Sequence, residues 1–485
     1  MFQTAEFAIF TLICFASVWL LKDRPRIRIA LLLFFSGYFF VRTNLAHPFR
    51  DLYPETYTAP RVIFITLTLF VFSSTLDFFV GKTLGRQWRK RRRKHLVILS
   101  VVTNLTILGV FKYFDFFASE LSSLLNIEHK VGVRLLFPIG ISFYTFQSLS
   151  YIFDVYHNRI WPTERYTHYL LYLAFFPQLI MGPIVRANVL LPQLEATPQL
   201  TADKGAQAMA RIGIGVIKKL AIADFLRAQI VDPVFGNPDM FSSAETLTAV
   251  YAYSFQIWAD FSGYTDIAIG IALLLGISLP ENFNAPYKAE SLREFWQRWH
   301  MTLSTWLRDY LYIPLGGSRG SHSRTYINLM ITMVLGGLWH GASMNFLIWG
   351  TIHGAALAVT RVVSKRGLVR RIPERVQAIA GPLLTFHIVT AAWVFFRAPT
   401  FKGALDIFRG LFTFEFGAAN ITAGALTVIG LAAATHLMPK AVIEKTNRGF
   451  HALPAPIQAV LFVAAVYAAD RIGAVKVSAF IYSQF

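Results

Sequence analysis

Residues 295–341 read FWQRWHMTLSTWLRDYLYIPLGGSRGSHSRTYINLMITMVLGGLWHG, and this stretch decides how the rest of the chain is interpreted. Its first half is charged, is rich in tryptophan and contains His300; its second half holds an apolar run that leads to His340. A glycine-rich turn that starts at Pro314 separates the halves. An ionisable side chain at membrane depth costs free energy and usually has a function. The stretch therefore predicts a functional site at His340 inside a membrane protein.

The composition predicts an all-α polytopic membrane protein. Of the 485 residues, 55% are hydrophobic and 15% are charged, whereas about 25% of the residues in soluble domains are charged. Apolar runs of about 17–25 residues, the length needed to cross a bilayer, recur along the chain. Proline and glycine interrupt the runs at 135–156 and 166–185, and such breaks are tolerated where the backbone is buried in protein or lines a cavity. We expect about 10–13 membrane segments, some broken or re-entrant.

The charge distribution indicates membrane topology. The net charge is +19, but the basic residues cluster in short loops between apolar runs, so we expect a lipid bilayer and no nucleic acid as partner. The positive-inside rule places the basic loops after residues 21 and 80 in the cytoplasm. The N-terminus, which holds Glu6 and no Lys or Arg, is then predicted to be extracytoplasmic.

The sequence indicates neither a metal site nor a permanently bound cofactor. The single cysteine, Cys14, excludes disulfides within the chain and metal sites built from several cysteines. The sequence has no HExxH, Walker A or GxGxxG motif, so a zinc protease, a P-loop motor and a dinucleotide-binding fold lack support.

Three histidines are candidates for chemistry. A neutral imidazole at His340 can accept a proton from a hydroxyl group and later donate one, whereas the alternative is a histidine that a backbone carbonyl satisfies within a helix bundle. Glycines on both sides of His340 allow close backbone approach or helix packing. His300 is either a second active-site histidine or an interfacial residue near Trp296 and Trp299. For His353 we expect helix packing.

A polar set lies in the apolar run at 246–279 and includes Gln256, Asp260, Ser262 and Asp266. These residues form either the polar wall of a tunnel or a buried network that holds helices together, and the sequence favours neither. A basic set surrounds the central stretch and consists of Lys288, Arg293, Arg298 and Arg308. It either contacts a donor that carries phosphates or extends to the membrane interface.

Several long motifs resemble the membrane-bound O-acyltransferase (MBOAT) family. They are FWQRWHMTLSTWLRDYLYIPLGG followed by GGLWHG, FPQLIMGPIVR at 176–186, FQIWADFSGYTDIAIG at 255–270, ENFNAPYKAESLREFW at 281–296 and AWVFFR at 392–397. The resemblance covers roughly residues 85–400. Within the family, the chain most resembles the bacterial branch that acetylates alginate, cellulose or peptidoglycan. The resemblance extends to the proteins of teichoic-acid D-alanylation.

The resemblance implies a helical bundle around a thin floor with a central tunnel. It divides the chain into N-terminal transmembrane helices (1–80), a catalytic core (81–400) and C-terminal transmembrane helices (401–485). His340 would be the family's invariant histidine and His300 its second one. Acetyl-CoA would be the cytoplasmic donor, and the acetyl group would reach hydroxyls of an exported polysaccharide from the bacterial inner membrane. A periplasmic SGNH-type or AlgJ-like acetyltransferase and other glycan-modification subunits would be the partners.

The expected substrate-contacting and tunnel-lining residues extend beyond the two histidines. They are Trp339, Gln256, Asp260, Ser262, Asp266, Arg308, Trp299 and Asn284. Donors to the carbonyl oxygen of the acyl group would come from Arg308, Trp339 or the backbone amides around Gly341. The alternatives are a transporter or flippase, in which Asp260 and Asp266 form an ion pathway, and a non-catalytic subunit of a glycan-synthesis complex.

Overall fold

The structure, a computed structural model, describes residues 4–46, 58–125, 138–367 and 372–473. Over these ranges the chain is helical and contains no β-strand, which confirms the all-α prediction. The helices are α1 (Ala5–Leu20), α2 (Pro25–Leu45), α3 (Ala59–Arg86), α4 (Lys90–Leu108), α5 (Phe114–Leu124), α6 (Ile141–Tyr156), α7 (Tyr166–Ala174), α8 (Ala187–Glu195), α9 (Ala202–Ile217), α10 (Asp232–Gly236), α11 (Ser243–Leu274), α12 (Leu292–Arg298), α13 (Met301–Leu307), α14 (His322–His340), α15 (Met344–Lys365), α16 (Glu374–Arg397), α17 (Phe401–Gly410), α18 (Ala423–Leu437), α19 (Lys440–His451) and α20 (Ala455–Ile472).

The number of spans confirms a polytopic membrane protein. Within the described ranges, 7 helices are long and apolar enough to cross a membrane, or up to 8 if α18 and α19, which meet at 94°, form one broken span. Other predicted segments are helices too short to cross alone: α1 and α6 have 16 residues each, and α7 has 9. The expected count of 10–13 membrane segments exceeds these 7 or 8 spans and stays a prediction.

The predicted breaks are present where proline and glycine interrupt the apolar runs. Helix α6 begins after Gly140, whose φ of 83° is a left-handed conformation that glycine adopts without steric cost. Helix α7 ends at Ala174, and the non-helical segment 175–185 that follows is buried throughout. Irregular backbone of this kind is expected only where protein surrounds it.

The described residues form two compact units: residues 4–205 with 268–280, and residues 206–267 with 281–473. The predicted division at residues 80 and 400 stays a prediction. In the first unit, helices α3, α4 and α6 pack around the fully buried Asp77. Its carboxylate accepts hydrogen bonds from Ser100 (2.6 Å), Asn104 (2.7 Å) and Ser148. Neutral donors therefore solvate this buried carboxylate.

The second unit contains every candidate histidine, and its tightest helix pair is α14 with α15. A Cβ atom added at Gly337 would overlap the carbonyl oxygen of Phe346, and one at Gly350 would overlap that of Met333. Small residues let helix backbones approach this closely in a membrane. The glycines before His340 thus bring the start of α15 next to the end of α14.

Candidate active site

His300 lies at a break between two short helices and is fully buried. Its φ of 41° is left-handed, which costs a residue other than glycine about 1–3 kcal/mol. Asn282 stabilises this backbone: its carbonyl accepts from the amide of Met301 (3.0 Å), and its side-chain Oδ1 accepts from the amide and hydroxyl of Thr302 (3.1 and 2.9 Å). The position of the His300 ring therefore depends on a local hydrogen-bond network.

The same Asn282 oxygen determines which nitrogen of His300 carries the proton. The Nδ1 atom of His300 lies 3.2 Å from Oδ1 of Asn282, which can only accept, so Nδ1–H donates. Burial lowers the pKa of His300 to about 3, so the ring is neutral near pH 7. Its Nε2 is then an acceptor, and it has no hydrogen-bond partner among the described residues.

His340 is the last residue of α14 and is only 4% exposed. Three aromatic rings stand roughly perpendicular to its imidazole: Trp339 and Trp349, each with a centroid distance of 5.0 Å, and Phe396 at 5.3 Å. These rings come from α14, α15 and α16. Beside it, the ring of Phe346 fills the space that a Cβ at Gly341 would need. The glycines next to His340 therefore serve close packing.

Trp339 connects the two histidines. Its ring lies 6.1 Å from the ring of His300 and 5.0 Å from that of His340, centroid to centroid. One indole therefore contacts both imidazoles, although forty residues separate them in sequence. Trp299 is 1% exposed and belongs to the same aromatic cluster, with its ring 5.0 Å from Trp393 and 5.7 Å from Phe295.

His353 belongs to this cluster and packs against its tryptophan rings, in line with the helix packing that the sequence predicted for it. The residue is fully buried in α15, with its ring 4.7 Å from Trp349 and 5.2 Å from Trp296. Along the cluster, histidine and tryptophan alternate: His300, Trp339, His340, Trp349, His353. The available signal was the four-residue spacing of Trp349 and His353, which places both on one side of a helix.

The polar set on α11 is buried, and its carboxylates are ion-paired. Asp260 contacts Nζ of Lys219 at 2.6 Å, and Lys219 also pairs with Asp224 at 2.8 Å. Asp266 pairs with Lys218 and with Arg211, both at 2.7 Å. These contacts correspond to the network alternative, in which charges hold α11 against α9 and the residues that follow it.

The other two members of this set differ from the carboxylates. Gln256 and Ser262 are each 2% exposed, and neither the Oε1 of Gln256 nor the Oγ of Ser262 has a hydrogen-bond partner among the described residues. On the same helix, the ring of Phe261 contacts the ring of His300 with a centroid distance of 4.7 Å. A tunnel-lining role for Gln256 and Ser262 stays a prediction.

Two of the predicted substrate-contacting residues lie at the surface. The side chain of Arg308 is 59% exposed and donates to Asp309 at 2.7 Å. Asn284 is also exposed, and its backbone pairs with Arg298. The structure does not place either side chain in the aromatic cluster of His340. Arg298 itself pairs with Glu294 at 2.6 Å, which favours a structural role for this member of the basic set.

The described part of the chain contains no group of three or more His, Cys, Asp or Glu side chains that could hold a metal ion. What the cluster offers at His340 is an imidazole ring enclosed by aromatic rings. Such a group can take a proton from a hydroxyl and return it to a leaving group.

Comparison with known proteins agrees with the motifs. The family described as "MBOAT, membrane-bound O-acyltransferase family" matches residues 163–398. The "Probable alginate O-acetylase AlgI" of Pseudomonas aeruginosa is 40% identical over 371 residues, which cover 73% of this chain and 69% of that protein. The "Peptidoglycan O-acetyltransferase" of Helicobacter pylori is 36% identical over 410 residues, covering 78% and 76%. The "Teichoic acid D-alanyltransferase" of Bacillus subtilis is 28% identical over 293 residues, covering 56% and 72%.

Proposed function

The chain belongs to the membrane-bound O-acyltransferase family and is a multi-pass membrane O-acyltransferase, and from this premise we propose that it acetylates an exported polysaccharide. The donor is acetyl-CoA on the cytoplasmic side, and it is a substrate rather than a resident cofactor. Two relatives support acetylation of a polysaccharide, because their names specify O-acetylation of alginate and of peptidoglycan. The acceptor is a hydroxyl group that the acetyl group reaches through a passage beside His340.

In the proposed mechanism His340 is the general base. The acceptor hydroxyl attacks the thioester carbonyl while His340 takes its proton, so a carbon–oxygen bond forms. The tetrahedral intermediate then collapses, the carbon–sulfur bond breaks, and the proton returns from His340 to the thiolate. His300 remains neutral and positions the site through Trp339. One observation carries this proposal: two buried histidines, forty residues apart in sequence, contact the same indole ring.

The acetyl group reaches the glycan with the help of a partner protein. We assign the last transfer onto glycan to a periplasmic SGNH-type or AlgJ-like acetyltransferase acting with other glycan-modification subunits. The resemblance to polysaccharide-acetylating systems supports this assignment. Co-expression of a candidate partner should be needed for ester formation on the polymer, whereas loss of the partner should leave acetyl-CoA turnover by this chain detectable. Glycan acetylation at the full level without any partner would contradict it.

The orientation follows from charge. We place the chain in the bacterial inner membrane with its N-terminus outside, because the loop between α1 and α2 and the stretch from Arg86 to Lys94 are rich in Lys and Arg. Reporter fusions at these two loops should give cytoplasmic signals, and a fusion at the N-terminus should give a periplasmic one. The opposite pattern would reverse the assigned donor side.

A histidine pair on one helix provides the test of function. His322 and His340 are the first and last residues of α14, and His322 is exposed. His340→Ala should abolish acetyl transfer from radiolabelled acetyl-CoA, at unchanged membrane expression, whereas the matched control His322→Ala should retain it. Normal acetylation by His340→Ala would refute the proposed function. A transporter has no comparable support, because both carboxylates of its supposed ion pathway are ion-paired within the protein.

A further inference from the structure

Helix α15 carries two buried aromatic side chains, Trp349 and His353, whose ring nitrogens lack partners among the described residues. Trp349 is 1% exposed, its ring contacts that of His340, and its Nε1–H has no hydrogen-bond partner among the described residues. One turn later His353 is fully buried, and both of its ring nitrogens also lack a partner there. Trp349, which contacts the proposed base, and His353, which contacts Trp349 at 4.7 Å between ring centroids, thus bury three nitrogens that lack a partner among the described residues.

Such an arrangement is costly without a ligand. Each buried polar group without a partner costs about 1–3 kcal/mol, and buried polar groups are paired in the large majority of cases. A phenylalanine at position 353 would fill a similar aromatic space without this cost. The expected explanation is a partner from outside the chain that arrives in the working enzyme.

Acyl transfer generates a hydrogen-bond acceptor that could pair with these nitrogens. When a hydroxyl attacks a thioester, the carbonyl double bond opens and negative charge develops on the carbonyl oxygen, which needs hydrogen-bond donors. Arg308 is at the surface, and the amide of Gly341 donates within the protein to the carbonyl of Gly337. A neutral histidine has one N–H and a tryptophan has another.

We propose that Trp349 and His353 are catalytic residues whose N–H groups donate to the carbonyl oxygen of the acyl group while the acceptor hydroxyl attacks at His340. This inference rests on the proposed acetyl transfer. The aromatic surroundings exclude water, which strengthens both hydrogen bonds. The stacked ring of Trp393, 5.8 Å from that of Trp349, limits the movement of the indole.

His353→Phe is the decisive variant, because it keeps an aromatic ring and removes only the nitrogens. We expect the purified full-length variant to keep or exceed the thermal stability of the parent protein. Its kcat for acetyl transfer from acetyl-CoA should fall roughly 100- to 1,000-fold, the usual effect of removing one such donor, with KM for acetyl-CoA changed less than about threefold. His353→Gln, which retains an N–H donor, should recover part of kcat.

Two further variants separate the outcomes. Trp349→Phe should also lose kcat, whereas the matched control Trp258→Phe should not, because Trp258 is buried but its ring contacts His436 and not the rings of His340, Trp349 or His353. A folded His353→Phe variant with a normal kcat would overturn the inference, and so would equal losses in the two tryptophan variants. If the inference about Trp349 and His353 is overturned while His340→Ala is inactive in the same assay, the proposed acetyl transfer at His340 still stands. If His340→Ala is active, the proposed function itself is refuted.

Discussion

The buried, neutral His300 predicts a specific loss of stability in acid. In the unfolded chain a histidine has a pKa near 6.5, whereas burial lowers the pKa of folded His300 to about 3. Between these values the unfolded state binds a proton that the folded state excludes, so the free energy of unfolding falls as the pH falls. The slope is about 1.4 kcal/mol per pH unit, and integration from pH 7 to pH 5 gives about 2 kcal/mol.

His300→Gln removes the part of the acid-induced loss of stability that protonation of His300 causes. Comparison with the parent protein therefore separates this part from the effects of the other titrating groups. We expect the parent protein to lose about 2 kcal/mol more than the variant between pH 7 and pH 5, measured by denaturant unfolding in detergent. His322→Gln serves as the control, because this exposed histidine lies outside the buried cluster. Identical pH dependences for His300→Gln and the parent would refute a buried, neutral His300.

Three further predictions concern the packing around the site. Lys219→Met leaves two buried carboxylates without their shared cation and should cost about 3–5 kcal/mol of unfolding free energy in the same assay. Gly350→Ala should cost about 1–3 kcal/mol because its Cβ overlaps the neighbouring helix, whereas Gly37→Ala, with no atom within 4 Å of its Cβ, should be neutral or stabilising by up to about 1 kcal/mol. Asn282→Asp places a carboxylate against Nδ1 of His300 and should raise the pKa of His300 by roughly 1–3 units; the His300-dependent loss of unfolding free energy between pH 7 and pH 5 should then become smaller, and an unchanged loss would contradict the assigned contact.

Packing also sets the role of the glycines around the site. Glycines beside His340 could equally have left an open space or allowed helices to meet, and a local pattern cannot distinguish these outcomes. In the structure Phe346, which follows His340 by six residues, fills that space. The close approach of α14 and α15 is therefore what brings Trp349 to His340.

The sequence by itself determined the class of the protein and two of its candidate histidines. Hydrophobic composition and run length are local properties, and a bilayer imposes helices on long apolar runs because every backbone group must be paired there. The breaks near Gly140 and Ala174 were predictable for the same reason. The motifs around His300 and His340 are continuous in sequence, so they identified the family without any knowledge of contacts.

Only the tertiary structure decided which groups meet. It joined Lys219 to Asp260, left Arg308 at the surface, and determined which aromatic rings His353 packs against. These outcomes depend on contacts between residues far apart in the chain, and the free energy of such contacts depends on geometry that no local pattern encodes. Periodicity can state which residues share a helix face, but the packing of one helix against another determines what that face touches.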